Sequence, residues 1–192
     1  MKTTQKRTLT RRNMTMSDVI GSVLYTREQI ETRAQEIGKQ ITEDYKGEKV
    51  ILVGILRGAV MWMSDVMKNV DLDMTIDFMA VSSYGSSKKS SCIVKINKYL
   101  DTNIEDQNVI IVEDIVDSGI TLNYLVGYFE SRGAKSIKIC SLLNKQCNRK
   151  VDLSATYVGF EVDDLFIIGY GLDYDQRYRN LPYISYLEDE ED

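Results

Sequence analysis

The chain has 192 residues, of which 43% are hydrophobic and 28% charged, and its formal net charge at pH 7 is −5. This length suits one domain with a substantial core, and no apolar run approaches the ~18 residues that span a membrane. The acidic balance argues against broad nucleic-acid binding. Histidine is absent from the sequence, which excludes Ser–His–Asp catalysis, Cys–His pairs and histidine-ligated zinc.

The two ends of the chain differ in charge from its middle. Residues 1–16 are basic and polar but lack the apolar core of a secretory signal, and residues 188–192 are entirely acidic. We expect both ends to be flexible and one domain to occupy residues 17–187. The three cysteines are Cys92, Cys140 and Cys147. They show neither CxxC spacing nor a disulfide framework, which is typical of a cytoplasmic protein.

Apolar periodicity divides the first half of the chain into alternating helices and strands. A capping box at residues 26–29 predicts the start of a helix that ends before Gly47. The apolar face of this helix consists of Ile30, Ala34, Ile37 and Ile41. The elements expected next are a buried strand at 50–56, a helix at 59–67, a strand at 74–81 and a mobile polar loop at 82–91.

The second half repeats this order. A β-branched strand at 109–112 ends at Glu113 and Asp114, and Thr121 opens a helix that Gly133 closes. The apolar stripe of that helix is Leu122, Leu125, Val126 and Phe129. The remaining elements are a strand at 137–143 and β segments at 157–160 and 165–169. Alternating strands and helices predict an α/β fold with a mainly parallel sheet.

Residues 113–121, between the predicted strand and helix, carry the most specific chemical pattern. In open α/β sheets, ligands bind beyond the carboxyl ends of the strands. Ser118, Gly119 and Thr121 are small enough for backbone amides to approach a phosphate at the positive end of the helix. Glu113 and Asp114 would repel phosphate, so we expect them to face sugar hydroxyls directly or through Mg²⁺. The alternative is a solvated acidic turn with a capping side chain.

The sequence of residues 113–121, EDIVDSGIT, resembles the phosphoribosyl pyrophosphate signature of the type I phosphoribosyltransferases. More narrowly, the chain from about Val19 to Leu187 resembles the bacterial hypoxanthine-guanine phosphoribosyltransferases. The shared segments lie at 56–58, 83–85, 142–145, 158–161, 166–174 and 177–180. The resemblance implies a mainly parallel central sheet flanked by helices, with a small hood region over the base site.

The resemblance assigns roles to the acidic segment. Glu113 and Asp114 hold the ribose hydroxyls with Mg²⁺ nearby. The 5′-phosphate is cradled by Asp117, Ser118, Gly119, Ile120 and Thr121. Asp117 is the general base that accepts the N7 proton of the purine as N9 attacks the anomeric carbon. Because a base of this kind contributes ~10² to 10⁴-fold, positioning and neutralisation of the leaving pyrophosphate must supply more.

Further residues on either side of that segment also match the family. By this resemblance we expect Arg57 and Gly58 to bind pyrophosphate, and in the family the peptide bond before the basic residue can be cis. Asp173 holds a second Mg²⁺ through water, and Arg179 reaches pyrophosphate. Taken alone, Arg57 would be a solvated turn residue, and either Asp173 or Arg179 could be part of an exposed ion pair worth little.

The base site has its own set of family matches. The resemblance implies that Lys145 donates to the O6 atom of the purine, that Phe166 stacks on the purine face, and that the backbone of Ile167 reads its edge. Ser83 and Tyr84 begin a loop that closes over the reacting centre and excludes water. Taken alone, Lys145 would be a surface lysine and Phe166 a core residue. Cys92 stands where many relatives have glycine, without touching a predicted contact.

The function implied is purine salvage, in which hypoxanthine or guanine is converted to IMP or GMP with release of pyrophosphate. A preference for xanthine remains open, because xanthine shares the 6-oxo group. A non-catalytic regulator that senses phosphoribosyl pyrophosphate and binds nucleic acid is a second alternative, although only the basic leader favours it. We expect Mg²⁺ as cofactor, no nucleic-acid or membrane partner, and a homodimer or homotetramer.

Overall fold

The computed structural model describes residues 20–84 and 93–188, and the predicted flexible leader and all but the first residue of the acidic tail lie outside these ranges. Within them the helices are α1 (Arg27–Asp44), α2 (Val60–Met67) and α3 (Ile120–Ser131). The strands are β1 (Val50–Leu56), β2 (Met74–Tyr84), β3 (Ile93–Lys98), β4 (Asn108–Val116), β5 (Ser136–Asn144), β6 (Tyr157–Glu161), β7 (Phe166–Ile168) and β8 (Ser185–Leu187).

The described strands form one six-stranded sheet and one two-stranded sheet. The order in the large sheet is β3-β2-β1-β4-β5-β6, with β3 antiparallel to β2 and every other pair parallel. Strands β7 and β8 pair antiparallel as a small separate sheet, which isolated bridges join to Ile20 and Tyr25. The predicted α/β fold with a mainly parallel sheet is therefore confirmed. No helix in the described ranges combines the length and apolar character needed to cross a membrane.

Alternation along the central strands builds a core on each face of the sheet. Leu52 and Ile110 pack with the buried faces of α1 and α2, whereas Val53 and Ile111 pack with α3 on the other side. Because both faces of the sheet are covered, β1 and residues 109–112 of β4 are apolar without interruption. The capping box at Thr26 and Gln29 is formed, which confirms the predicted start of α1.

Strand β4 is longer than the sequence predicted. It does not end at Glu113 and Asp114 but continues to Val116, because Glu113, Ile115 and Val116 pair with residues of β5. Helix α3 starts one residue earlier than predicted, at Ile120. The two acids therefore belong to a rigid strand end, which fixes their side chains more firmly than a loop would.

The expected loop at 82–91 is also partly strand. Its first three residues extend β2 and pair antiparallel with β3, an element that the sequence did not predict. Positions 85–92, including Cys92, lie outside the described ranges. Strand β8 was not predicted either, because a three-residue strand carries too little periodicity to be recognised.

Candidate active site

Two adjoining cavities lie at the carboxyl ends of the central strands. The first has a volume of about 310 Å³, and its lining includes Arg57, Gly58, Glu113, Asp114, Asp117, Ser118, Gly119, Thr121, Asp173 and Arg179. The second, of about 250 Å³, is lined by Asp114, Ile115, Asp117, Lys145, Leu165, Phe166, Ile167, Leu172 and Asp173. Both linings contain Asp114, Ile115, Asp117 and Asp173, so the cavities meet at these residues.

The acid pair at the end of β4 is partly withdrawn from water. Burial, followed by the charge of Asp114, raises the pKa of Glu113 well above its usual range. Burial also raises the pKa of Asp114, although hydrogen bonding with Glu113 and the charge of Arg179 oppose that rise. The neutral form of Glu113 is consequently favoured in the ligand-free protein.

Close packing explains the glycine that faces the acid pair. A Cβ atom at position 58 would overlap the Asp114 carboxylate. Only glycine allows the turn after β1 to approach β4 so closely. The Leu56–Arg57 peptide bond that leads into this turn is cis. The Arg57 guanidinium donates to Gln176 Oε1 at 3.0 Å.

The acidic side chains of the first cavity fit a hard cation that a ligand helps to bind. Glu113 Oε2 is buried without a hydrogen-bond partner, which marks an oxygen available to an ion. Within residues 20–84 and 93–188, however, no three acidic, cysteine or histidine side chains are grouped as a metal site. Mg²⁺ usually combines one or two protein carboxylates with water and substrate oxygens, so the arrangement is compatible with it.

Residues 117–121 form a turn, here called the 117–121 loop, that leads from β4 into α3. Gly119 has φ +78° and ψ −8°, and as the N-cap residue of α3 it has no side chain to occupy the free helix amides. A Cβ at Gly119 would lie 2.8 Å from Val151 Cγ2, so segment 149–151 packs tightly behind the loop. Lys150 N donates to the Ser118 carbonyl at 3.0 Å and fixes the same turn. The loop thus presents a helix N-terminus to the first cavity.

Opposite the 117–121 loop, Asp173 and Arg179 form an ion pair at 2.6 Å. Only about a quarter of each side chain is exposed, so neither residue belongs to an exposed ion pair of the kind that the sequence left open. Arg179 also donates to the Gly171 carbonyl at 2.6 Å, while its Nε is buried without a partner. Both residues line the first cavity, which brings them together with the acid pair as predicted.

The second cavity holds the residues expected to recognise a base. Lys145 is only 8% exposed, so it is not a surface lysine. Phe166 is 54% exposed, so it is not a core residue either, and its ring meets Tyr174 edge-on at 5.5 Å. Ile167 is buried, and its backbone pairs with Tyr186 in the small sheet. One buried donor and one exposed aromatic ring therefore border the same cavity.

Two predicted residues are described only in part, and several lining residues were missed. The backbones of Ser83 and Tyr84 pair with Val94 and Ile93 at the end of β2, whereas their side chains lie outside what the structure describes. The sequence assigned no role to the lining residues Ile115 and Leu172, or to Gln176, which accepts a hydrogen bond from Arg57. Ile115 lies two residues after Glu113 in β4, so the period-two pattern of a strand would have placed it beside Glu113 at the cavity had the strand been extended to Val116.

The chain resembles known proteins over most of its length. The family model described as "Phosphoribosyl transferase domain" matches residues 22–175. A hypoxanthine-guanine phosphoribosyltransferase of Bacillus subtilis is 50% identical over 173 residues, which cover 90% of this chain and 96% of the relative. A hypoxanthine-guanine phosphoribosyltransferase of Streptococcus thermophilus is 48% identical over 171 residues, which cover 89% of this chain and 95% of that relative. A crystal structure of a hypoxanthine phosphoribosyltransferase from Staphylococcus aureus matches with a TM-score of 0.86 at 44% identity, covering 93% of this chain and 97% of that one.

Proposed function

The chain belongs to the phosphoribosyltransferase family, and from that premise we propose that it is a purine salvage enzyme. It transfers the 5-phosphoribosyl group of phosphoribosyl pyrophosphate to N9 of hypoxanthine or guanine. The products are IMP or GMP and pyrophosphate. The observation that carries this proposal is the junction of two cavities at Asp117, with acids and a helix N-terminus in one and a lysine with an aromatic ring in the other.

The first cavity binds phosphoribosyl pyrophosphate. The 117–121 loop holds the 5′-phosphate with its amides and hydroxyls, while Glu113 and Asp114 hold the ribose hydroxyls. Arg57, Gly58 and Arg179 contact pyrophosphate. Glu113, Asp114 and Asp173 would hold Mg²⁺ together with the substrate, and the ion would supply positive charge to the leaving pyrophosphate. Binding then favours ionisation of the acid pair, because a cation offsets the burial that raises the pKa of both carboxyls in the ligand-free protein.

The second cavity orients the base for in-line attack. Lys145 donates to the 6-oxo group, Phe166 stacks on the purine face, and the backbone of Ile167 reads the purine edge. Asp117, which lines both cavities, removes the N7 proton while N9 bonds to the anomeric carbon. Ser83 and Tyr84 belong to the segment that closes over the reacting atoms. A 6-amino purine would place a donor opposite Lys145, so adenine is a poor substrate.

We also propose the extent of the catalytic domain, the cellular location and the oligomeric state. The catalytic domain spans residues 17–187, between a basic leader and an acidic tail. The protein acts in the cytoplasm and forms a homodimer or homotetramer. Oligomeric state is measured by light scattering of the purified full-length chain, and a monomer at micromolar concentration would contradict this part alone.

An absorbance assay with Mg²⁺ and phosphoribosyl pyrophosphate tests the function. Hypoxanthine, guanine, xanthine and adenine are compared in separate reactions. The proposal requires turnover of hypoxanthine and guanine with adenine essentially inactive. Robust turnover of xanthine would change the base preference but keep the reaction. Binding of phosphoribosyl pyrophosphate without turnover of any base would contradict the enzyme and favour the regulator.

A further inference from the structure

The ammonium group of Lys145 is held at two points in the ligand-free protein. Lys145 directly follows β5, and its Nζ donates to the Leu165 carbonyl at 2.9 Å. The same Nζ lies 2.9 Å from Asp164 Oδ1. An ammonium has three N–H donors, so two are directed to these acceptors and the third is free to point into the cavity that Lys145 lines.

Asp164 is itself fixed by its surroundings. Asn148 Nδ2 donates to Asp164 Oδ1 at 2.9 Å, from the segment that follows Lys145. Leu165 N donates to the Asp163 carbonyl at 2.8 Å, which tightens the turn that carries Asp164. Hydrogen bonds from Lys145 and Asn148 hold the pKa of Asp164 below its ordinary value, so the carboxylate is charged at neutral pH. Lys145 therefore meets a permanent and localised negative charge.

We infer that Asp164 is a positioning residue for purine selection, which aims the third N–H of Lys145 at the 6-oxo group of the base. Lysine has a flexible four-carbon stem, so a single anchor at Leu165 would leave the ammonium free to swing. Two anchors fix the direction of the remaining donor, and a fixed donor discriminates better against a 6-amino group than a mobile one. The inference deepens the proposed function and rests on it, because Lys145 must first read the base.

The exposure of Asp164 separates this role from a purely structural one. Its side chain is 64% exposed, whereas that of Lys145 is only 10% exposed. Asp164 is largely solvated, and without it Lys145 keeps its hydrogen bond to the Leu165 carbonyl, so the ion pair contributes little to stability. We therefore expect Asp164→Asn to leave the thermal unfolding midpoint nearly unchanged. Any large kinetic effect must then come from the position of Lys145.

The test compares Asp164→Asn with Asp163→Asn, which removes the same charge one residue away from the Lys145 contact. For Asp164→Asn we expect kcat/KM for hypoxanthine to fall roughly tenfold, the size of one weakened charge-assisted hydrogen bond. The KM for phosphoribosyl pyrophosphate should stay within about twofold, and Asp163→Asn should match the wild type in both quantities. If kcat/KM falls equally for hypoxanthine and for phosphoribosyl pyrophosphate, or if Asp163→Asn shows the same loss for hypoxanthine, the inference is overturned.

A double-mutant cycle with Lys145→Met decides whether Asp164 acts through the lysine. If it does, adding Asp164→Asn to Lys145→Met changes kcat/KM for hypoxanthine by less than about twofold. A further tenfold loss in the double variant would show that Asp164 acts by another route and would overturn the inference. If Lys145→Met loses base recognition but Asp164→Asn does not, the positioning role alone is wrong. If Lys145→Met keeps wild-type kinetics with every base, the proposed function of the second cavity is wrong.

Discussion

Replacing Gly119 by alanine perturbs the 117–121 loop where its backbone is least tolerant. Gly119 has φ +78°, a conformation that costs an ordinary residue about 1–2 kcal/mol. The new Cβ would also lie 2.8 Å from Val151 Cγ2, and overpacking of this kind costs about 1–3 kcal/mol. The combined cost of about 2–5 kcal/mol is relieved most easily if the loop leaves its present conformation. Because the loop is proposed to hold the 5′-phosphate, its displacement should weaken phosphoribosyl pyrophosphate binding by about thirtyfold or more.

Titration calorimetry of the purified variant with Mg²⁺ and phosphoribosyl pyrophosphate measures this loss. The matched control is Gly127→Ala in α3, where a Cβ meets no atom within 4 Å. Alanine there should leave binding unchanged and raise helix stability by up to about 1 kcal/mol. Gly119→Ala binding within threefold of the wild type, with wild-type stability, would refute the claim that the site requires this loop conformation.

Three further substitutions probe the base site and the titrating groups. Phe166→Leu should raise the KM for hypoxanthine about tenfold through lost stacking, whereas Tyr99→Leu, which also alters an exposed ring, should not. Burial raises the pKa of Glu113 in the folded protein. The stabilisation that comes from protonated Glu113 is therefore complete below the unfolded-state pKa and is lost as pH rises through the folded-state pKa. Between about pH 5 and pH 8, the thermal unfolding midpoint of the ligand-free wild type should therefore fall more steeply than that of Glu113→Gln. Parallel plots of midpoint against pH for the two proteins would contradict this. A hydrogen bond from the Tyr157 hydroxyl lowers the pKa of Asp44. In urea unfolding, Asp44→Asn should therefore lower the free energy of unfolding by about 1 kcal/mol or less at pH 7. This difference from the wild type should vanish as pH falls below about 4.

Sequence patterns predicted the elements whose burial is local and continuous. Strand β1 is apolar along its whole length, and the cap and apolar face of α1 fix that helix without outside information. The predicted end of β4 was wrong because two adjacent acids are typical of a loop. Only the pairing of Glu113 with β5 shows that the strand continues. Strand β8 is too short for its apolar period to be recognised, and β3 was missed because the polar segment before it was read as a loop with no returning strand.

The candidate site divides in the same way. The 117–121 loop could be predicted from residue chemistry, because small residues after a buried strand and before a helix favour phosphate binding. Lys145 and Phe166 were singled out only by family resemblance, since their burial and exposure depend on the fold. Asp164 and Gln176 lie in irregular segments without periodicity, and their contacts with Lys145 and Arg57 appear only in three dimensions.

The central claim is that Asp117, at the junction of the two cavities, removes a proton during phosphoribosyl transfer to the base. Single-turnover kinetics of Asp117→Asn with hypoxanthine tests it most directly, because asparagine keeps the shape of the side chain but is not a base. We expect the chemical step of Asp117→Asn to be slower than that of the wild type by about 10² to 10⁴-fold, while the Kd of phosphoribosyl pyrophosphate stays within about threefold of the wild-type value. A chemical step as fast as that of the wild type, with the substrate bound equally well, would contradict it.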